Sequence, residues 1–348
     1  MGILIREADL DKDEGIMTSL LNENRRVSIN EKRHEWLYKQ NPHGEAIGWI
    51  AVDEKDDKPV GATVVTPRLV RIKRKDIICW NCGDFSIDKR YRSLGVAIKL
   101  RKMARDGVNA EIVPFLYAHP NDHMLVVHQR VGHPIMGQMV RYAKVIRLNK
   151  KMREMLNHKT LADIISGIGN PLFGLIGKEQ WYRKGYDIDF GINIEYTKEF
   201  DALFDQVSQR YAACVVRNAP YLNWRYSASP LYKVTRLMLR RNKNLCGYLI
   251  YYYEESDVVQ IKDVFYENDD VARHLMGALI TKMRTQRVCT ISVGLLNSNP
   301  FIEILRFFGF SQRAETSSVI VYPNPSFEYA KIIKDAKNWF MMVGDRDV

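Results

Sequence analysis

Arg92-Ser93-Leu94-Gly95-Val96-Ala97 places one glycine and one alanine at the opening of a stretch whose apolar positions are Val96, Ile98, Leu100 and Met103. A helix beginning there leaves its first backbone N–H groups unpaired, and small residues let a ligand come close to them. Such a terminus, carrying the positive end of the helix dipole, binds anions. Lys89, Arg90, Arg92 and Lys99 add mobile positive charge, and the set suits a diphosphate. The same residues also suit an ordinary helix start with a solvated basic face. Neither the phosphate-loop pattern GxxxxGK(S/T) nor GxGxxG is present. Just upstream, Asp84 and Ser86 stand two apart on a strand-like run and so share a face. Asp84 could take a proton, or could be an ordinary solvated or hydrogen-bonded strand residue. His119 is of the type suited to proton exchange at neutral pH. His128, with Tyr117 behind it, could give a proton to a leaving group, although a lone helical histidine is often structural. Cys79-Trp80-Asn81-Cys82 has C-x-x-C spacing, but strand positions three apart face opposite ways and no second ligand pair follows, so no metal is expected.

These groups need elements to hold them. The first half predicts helices over 8–23 and 30–39, the second starting after Asn30, then strands near 47–53, 60–72 and 76–88. A helix over about 93–107, a strand at 112–118, a helix at 121–131 and a strand at 136–147 complete it. This is a mixed α/β pattern with a helical crossover between two strands. The pattern recurs, shortened, over about 199–322. Trp36, Tyr38 and Pro42 correspond to Trp224, Tyr226 and Pro230 at an offset of 188, and Gly132 corresponds to Gly309 at 177. The expected organisation is therefore two domains, each a mixed twisted sheet flanked by helices, at 1–148 and 185–326. A helical linker at 149–184 joins them, and a closing helix and frayed tail occupy 327–348. Tyr248, Tyr251, Tyr252 and Tyr253 are expected in strand packing.

Arg92-x-x-Gly95-x-Ala97 after a strand resembles motif A of the GNAT superfamily of acyl-CoA N-acyltransferases, and Asn121 with Gly132-His133 resembles that family's next block. The duplicated halves make the chain similar to tandem GNAT proteins. Trp36-x-Tyr38-x-x-x-Pro42 and the Trp339-Phe340…Gly344-Asp345-Arg346-Asp347 ending resemble a bacterial subgroup linked to surface-polysaccharide biosynthesis. The resemblance implies acetyl-CoA or another acyl-CoA as co-substrate. Ile87, Arg92, Ser93, Leu94, Gly95, Val96, Ala97 and Asn121 would hold it, with Asp84 or His119 as base and His128 or Tyr117 as acid. It further implies an amine acceptor on a sugar or sugar-nucleotide. The sequence departs from the family where a proline before motif A is Lys89, where the usual phenylalanine is His133, and where the usual acid tyrosine is His128. In the second half, Glu267, Asp269 and Asp270 stand where an anion would sit and Leu305 stands at the acid position, so that half is expected not to bind CoA in the usual way.

Composition sets the outer bounds. A chain of 348 residues that is 46% hydrophobic is long enough for two cores and excludes disorder, collagen and disulfide miniproteins. Five scattered cysteines and an amino terminus without an apolar signal core lead to the expectation of a cytoplasmic location. The apolar middle of the linker is too short and too interrupted by glycine and proline to span a bilayer. A formal charge of +11 favours anionic partners. It leaves two alternatives open beside the small amine substrate: a transferase using aminoacyl-tRNA, and a non-catalytic tandem module in polysaccharide assembly.

Overall fold

The β-branched, alternating residues between 47 and 87 fold as three long antiparallel strands, β2 (Ile47–Asp53), β3 (Lys58–Ile72) and β4 (Lys75–Ile87). The computed structural model describes residues 2–25, 27–92, 94–147, 177–182, 184–192 and 195–346. A short edge strand, β1 (Ile3–Glu7), pairs with β2 ahead of helix α1 (Glu14–Asn22). It escapes the periodicity reading because five half-exposed residues at a sheet edge carry too little pattern. The segment read as a helix over 30–39 divides into α2 (Glu31–His34), capped by the Asn30 side chain, and a π-helical turn Glu35–Lys39. Helix α3 (Leu94–Asn109), strand β5 (Phe115–Ala118), helix α4 (Asp122–Arg130) and strand β6 (Ile135–Val145) complete the first half.

The second half runs the same course. Strand β7 (Asp187–Ile192) and helix α5 (Lys198–Val207) lead to strand β8 (Ala213–Val215) and helix α6 (Ala219–Leu222). Strands β9 (Thr235–Arg241), β10 (Asn244–Glu255) and β11 (Val258–Tyr266) precede helix α7 (Asp269–Thr285). Strand β12 (Thr290–Leu296), helix α8 (Phe301–Phe307) and strand β13 (Ser311–Pro323) close it. The two halves share local features. Asn30 and Asn218 each cap a four-residue helix that runs into a π-helical turn. Trp36 and Trp224 stack at 5.2 Å, and each donates its indole N–H to the other's backbone carbonyl, at 2.7 and 2.8 Å.

The strands of the two halves meet in a continuous mixed sheet flanked by helices. Twelve of the described strands follow one another in a single mixed sheet in the order β1-β2-β3-β4-β5-β13-β6-β12-β11-β10-β9-β7, and β8 joins it beside β3. β13, from the second half, lies against β5, and β6, from the first half, lies against β12. Each half thus surrenders its last strand to its partner. One apolar core runs through both halves, and a smaller one, including Trp80, Leu100, Leu116 and Val127, lies under α3 and α4. Cys79 belongs to the first core and Cys82 to the second, so the C-x-x-C pair faces opposite ways.

The ending also differs from expectation. In place of a helix over 327–340 there are a four-residue helix, Ala330–Ile333, a 3-10 turn, Ala336–Asn338, and a strand, β14 (Trp339–Phe340), parallel to β8. The tail is not frayed as far as Arg346. Asp345 is buried and accepts from Arg217 Nη2 at 2.6 Å, while Arg225 donates to the carbonyls of Gly344 and Arg346 at 3.1 and 2.7 Å. Buried arginines facing these carbonyls supply the partners that hold the tail in. The expected linker lies outside the described residues over 149–176. Among the described residues no helix is long and apolar enough to cross a membrane.

Candidate active site

β4 and β5 run parallel and pair only from Trp80 to Cys82 against Leu116 to Ala118. β5 stops there and β4 continues to Ile87, so the sheet opens between them. At the opening Thr63 faces Phe85 and Val64 faces Gly83, which makes Asp84 a bulge. Bulges bend a strand and re-aim its side chains. A cavity of about 570 Å³ lies here, bounded by Phe85, Ser86 and Ile87 on one side and by Asn121, Met124 and Val127 on the other. Arg92 and Ala97 close its outer end. Beyond Arg92, a second cavity of about 340 Å³ surrounds the start of α3, lined by Lys89, Arg90, Arg92, Gly95 and Lys99. Among the described residues no carboxylate lines either cavity. Asp88 lies behind the basic loop, where its carboxylate accepts from the Arg90 backbone N–H at 2.9 Å and pairs with the Arg90 guanidinium. The hydrogen bonds from Arg90 hold that carboxyl below its usual range.

The structure brings Ile87, Arg92, Gly95, Val96, Ala97 and Asn121 together around these two cavities. Leu94 begins α3, and Ser93 lies outside the described residues. Asn121 also caps α4, accepting from the Met124 N–H at 3.0 Å. Asn24, which sequence reasoning missed, donates to the Ile87 carbonyl at 3.1 Å and lines the inner cavity.

The proposed proton-transfer groups part company. Asp84 is buried and accepts from Arg33 at 2.8 and 3.1 Å, and from Arg25 and the Tyr38 hydroxyl. Burial alone would raise its pKa, but the charges of Arg33 and Arg25 outweigh that and hold it low. This is the environment of a fixed anion that ties α2 to the bulge. His119 is 4% exposed and neither of its ring nitrogens has a hydrogen-bond partner. Burial, helped by the charge of Arg346, lowers its pKa to about 3, so the imidazole is neutral. Tyr117 lies edge-on to it at 5.9 Å and donates its hydroxyl to the Asp345 carbonyl at 3.0 Å. His128 is outside the cavity lining, with its Nδ1 2.9 Å from that of His133. The structure does not bring it to the opening between the strands.

A third cavity, of about 600 Å³, lies between the halves. Arg25 and Arg33 enter it from the first half, and Arg225, Tyr232, Lys262 and Arg346 from the second. Lys262 sits on a bulge of β11, where Ile250 faces Asp263 and Tyr251 faces Ile261. Burial, then the charges of Arg225 and Arg346, lowers its pKa to about 8. Nothing local in the sequence marked this group, except that Arg225 sits between the repeated Trp224 and Tyr226. At the matching helix start in the second half, the Asn268 side chain accepts from the Val271 N–H at 3.1 Å, and Asp270 accepts from Tyr186 at 2.9 Å. That terminus is thus served by its own acidic and amide side chains.

No family model and no curated protein matches the chain. Solved structures do. A GCN5-related N-acetyltransferase from Anabaena variabilis matches with a TM-score of 0.64 at 11% identity, over 92% of this chain and 72% of that one. A probable N-acyltransferase from Enterococcus faecalis matches with a TM-score of 0.65 at 11% identity, over 93% and 72%. N-Myristoyltransferase from Saccharomyces cerevisiae, in a structure with bound myristoyl-CoA, matches with a TM-score of 0.58 at 11% identity, over 99% and 85%. Along nearly its whole length, the chain has the fold of the GCN5-related N-acetyltransferases and of N-myristoyltransferase.

Proposed function

We propose that the chain is an acyl-CoA-dependent N-acyltransferase, acetyl being the expected acyl group, that acts on an amine of a sugar or sugar-nucleotide by direct attack on the thioester. The observation that carries this reading is the opening between β4 and β5, which leads, with no carboxylate among the described lining residues, to the basic, glycine-containing start of α3. The residues present fit such a co-substrate: cations and helix amides for a diphosphate, and a channel lined by Phe85, Met124 and Val127 for a less polar arm. Acyl-CoA supplies an activated carbonyl and a thiolate leaving group. The solved neighbours support the reading, since one holds myristoyl-CoA and others are N-acetyltransferases by name. The sugar acceptor rests on the subgroup resemblance alone.

The chain's own part is to bind, orient and deprotonate. An alkylammonium ordinarily titrates near ~10 and must lose its proton before it attacks. Burial, then the charges of Arg225 and Arg346, brings Lys262 to about 8, and the same surroundings would favour the neutral form of an acceptor ammonium entering this cavity. His119, neutral and without a fixed partner, is the group we assign to pass that proton onward. Asp84 positions Arg25 and Arg33 at the cavity wall.

Thermal unfolding in the presence of acetyl-CoA tests the reading. At 100 times its dissociation constant a ligand adds about 2.7 kcal/mol of stability. Gly95→Asp, which puts a side chain and a negative charge into the cradle, is expected to abolish the shift. A wild-type protein indifferent to acetyl-CoA would sink the proposal. The net charge of +11 favours a second reading, transfer from aminoacyl-tRNA, which takes over if tRNA binds and acyl-CoA does not. Silence from both leaves a non-catalytic module.

A further inference from the structure

Lys262 is an amine inside the cavity proposed for the acceptor, and no step of the transfer uses it. It is the unpaired residue of the β11 bulge and lines both the cavity between the halves and an adjoining one of about 370 Å³. Among the described residues its Nζ makes no hydrogen bond and no ion pair. It stands 4.6 and 4.9 Å from the ring centres of Tyr232 and Tyr252, which stack on each other at 5.0 Å. The charged groups around it have both signs. Arg225 and Arg346 disfavour its ammonium, and Glu254 favours it. Glu254 accepts from the Gln260 side chain at 2.7 Å, and Glu315, in the adjoining cavity, is paired with Arg141 at 2.8 Å. Asp263, its neighbour in the chain, is buried against Arg217 at 3.1 Å. Burial, with the two arginines behind it, outweighs Glu254, so the amine loses its proton near pH 8. An ordinary lysine keeps its proton up to about 10.4. A lysine desolvated beside other cations is a nucleophile at ordinary pH.

Building on the acyl-CoA reading, we infer that Lys262 is a site of self-acylation: with no acceptor in the cavity, its Nζ takes the acyl group in the acceptor's place. The nitrogen lone pair attacks the thioester carbonyl carbon, and an N–C bond forms as the C–S bond breaks. Sulfur leaves as thiolate with the bonding pair, and the proton shed by nitrogen passes to that thiolate or to water. The wall across the cavity from Lys262 includes Arg25 and Arg33, both bonded to Asp84. Phe85 and Ser86, next along that strand, line the channel assigned to the acyl arm. The end of β4 therefore borders the channel and, through Asp84, the cavity. The product is an uncharged amide standing where the acceptor must enter, which makes the modification a brake when acyl donor is plentiful and acceptor scarce.

Peptide mass spectrometry of the full chain incubated with acetyl-CoA and no acceptor tests this. At pH 8.5 one acetyl group is expected on Lys262, at least tenfold faster than on the exposed Lys55. At pH 6.5 the rate at Lys262 should fall roughly twentyfold, following the neutral fraction of an amine that titrates near 8. Lys262→Arg should lose the label. Gly95→Asp, which blocks the donor's cradle and keeps Lys262, should lose it too. Acetic anhydride, which needs no cofactor site, should acetylate Lys262 ahead of Lys55 in wild type and in Gly95→Asp alike. The inference is overturned if protein that binds acetyl-CoA leaves Lys262 unmodified, if Gly95→Asp is labelled there by acetyl-CoA as fast as wild type, or if Lys262 reacts no faster than Lys55. If acetyl-CoA does not bind at all, the acyl-CoA reading falls and self-acylation with it; a preference of the anhydride for Lys262 then keeps the reactive amine, and no preference removes that as well.

Discussion

Asp84 and His119 lie at the ends of neighbouring strands and are held in different charge states, the first as an anion by two guanidiniums and the second neutral by burial. Replacing Asp84 with alanine leaves Arg33 buried without its counter-charge and is expected to cost about 3–5 kcal/mol in urea unfolding, the usual loss when one partner of a buried pair is removed. Histidine gives the pH dependence its sign. His119 and His133 are both lowered from 6.5 to about 3, so the unfolded chain takes up protons there at pH values where the fold does not. Stability is therefore undiminished above about pH 6.5 and falls as the solution is acidified towards 3, by up to about 1.4 kcal/mol per pH unit for each such histidine. Melting curves between pH 7.5 and 5 check this, and His119→Asn should flatten the slope. The basic, glycine-containing start of α3 was legible because Arg92, Gly95 and Ala97 are neighbours in sequence. The partners of Asp84 were not, because Arg33 and Arg25 lie 51 and 59 residues away and no local pattern announces a buried arginine.

At the level of elements, strong periodicity carried the reading. The long strands β2, β3 and β4, the helices α3 and α4, and the crossover between β4 and β5 all appear where alternation and amphipathic spacing put them. β1 and the closing helix were misjudged for the same reason: short segments take their conformation from what they pack against. β14 is a strand because β8 offers it an edge, a tertiary fact that overrides local propensity. Asn30 and Asn218 make the repeat testable. Each side chain accepts from a first-turn N–H, that of Arg33, which also donates to the Asn30 carbonyl, in one case and that of Tyr221 in the other. Alanine at either position is expected to cost about 1 kcal/mol, and the two costs should add in a double variant if the caps act independently.

For the whole molecule, the exchange of β6 and β13 was invisible because a strand's pattern records that it has neighbours and not which half supplies them. A fragment ending near residue 148 would leave β5 without β13, and a fragment beginning near 185 would leave β12 without β6. Neither is expected to melt cooperatively alone, whereas the two mixed should regain a single transition; calorimetry distinguishes the cases. The tail is a second whole-molecule device. A β-carbon on Gly344 would come within 2.8 Å of the Lys262 backbone carbonyl, so Gly344→Ala should loosen the tail and raise the protease sensitivity of the last residues.

Strand order also has a consequence during synthesis. The partner that β5 requires is encoded by residues 311–323, so the sheet around β5 stays unfinished on the ribosome until those residues have emerged, about two hundred residues after β5 itself. In the meantime a nascent hydrophobic edge is open to misassociation, which makes this polypeptide a natural client for chaperones that act during translation.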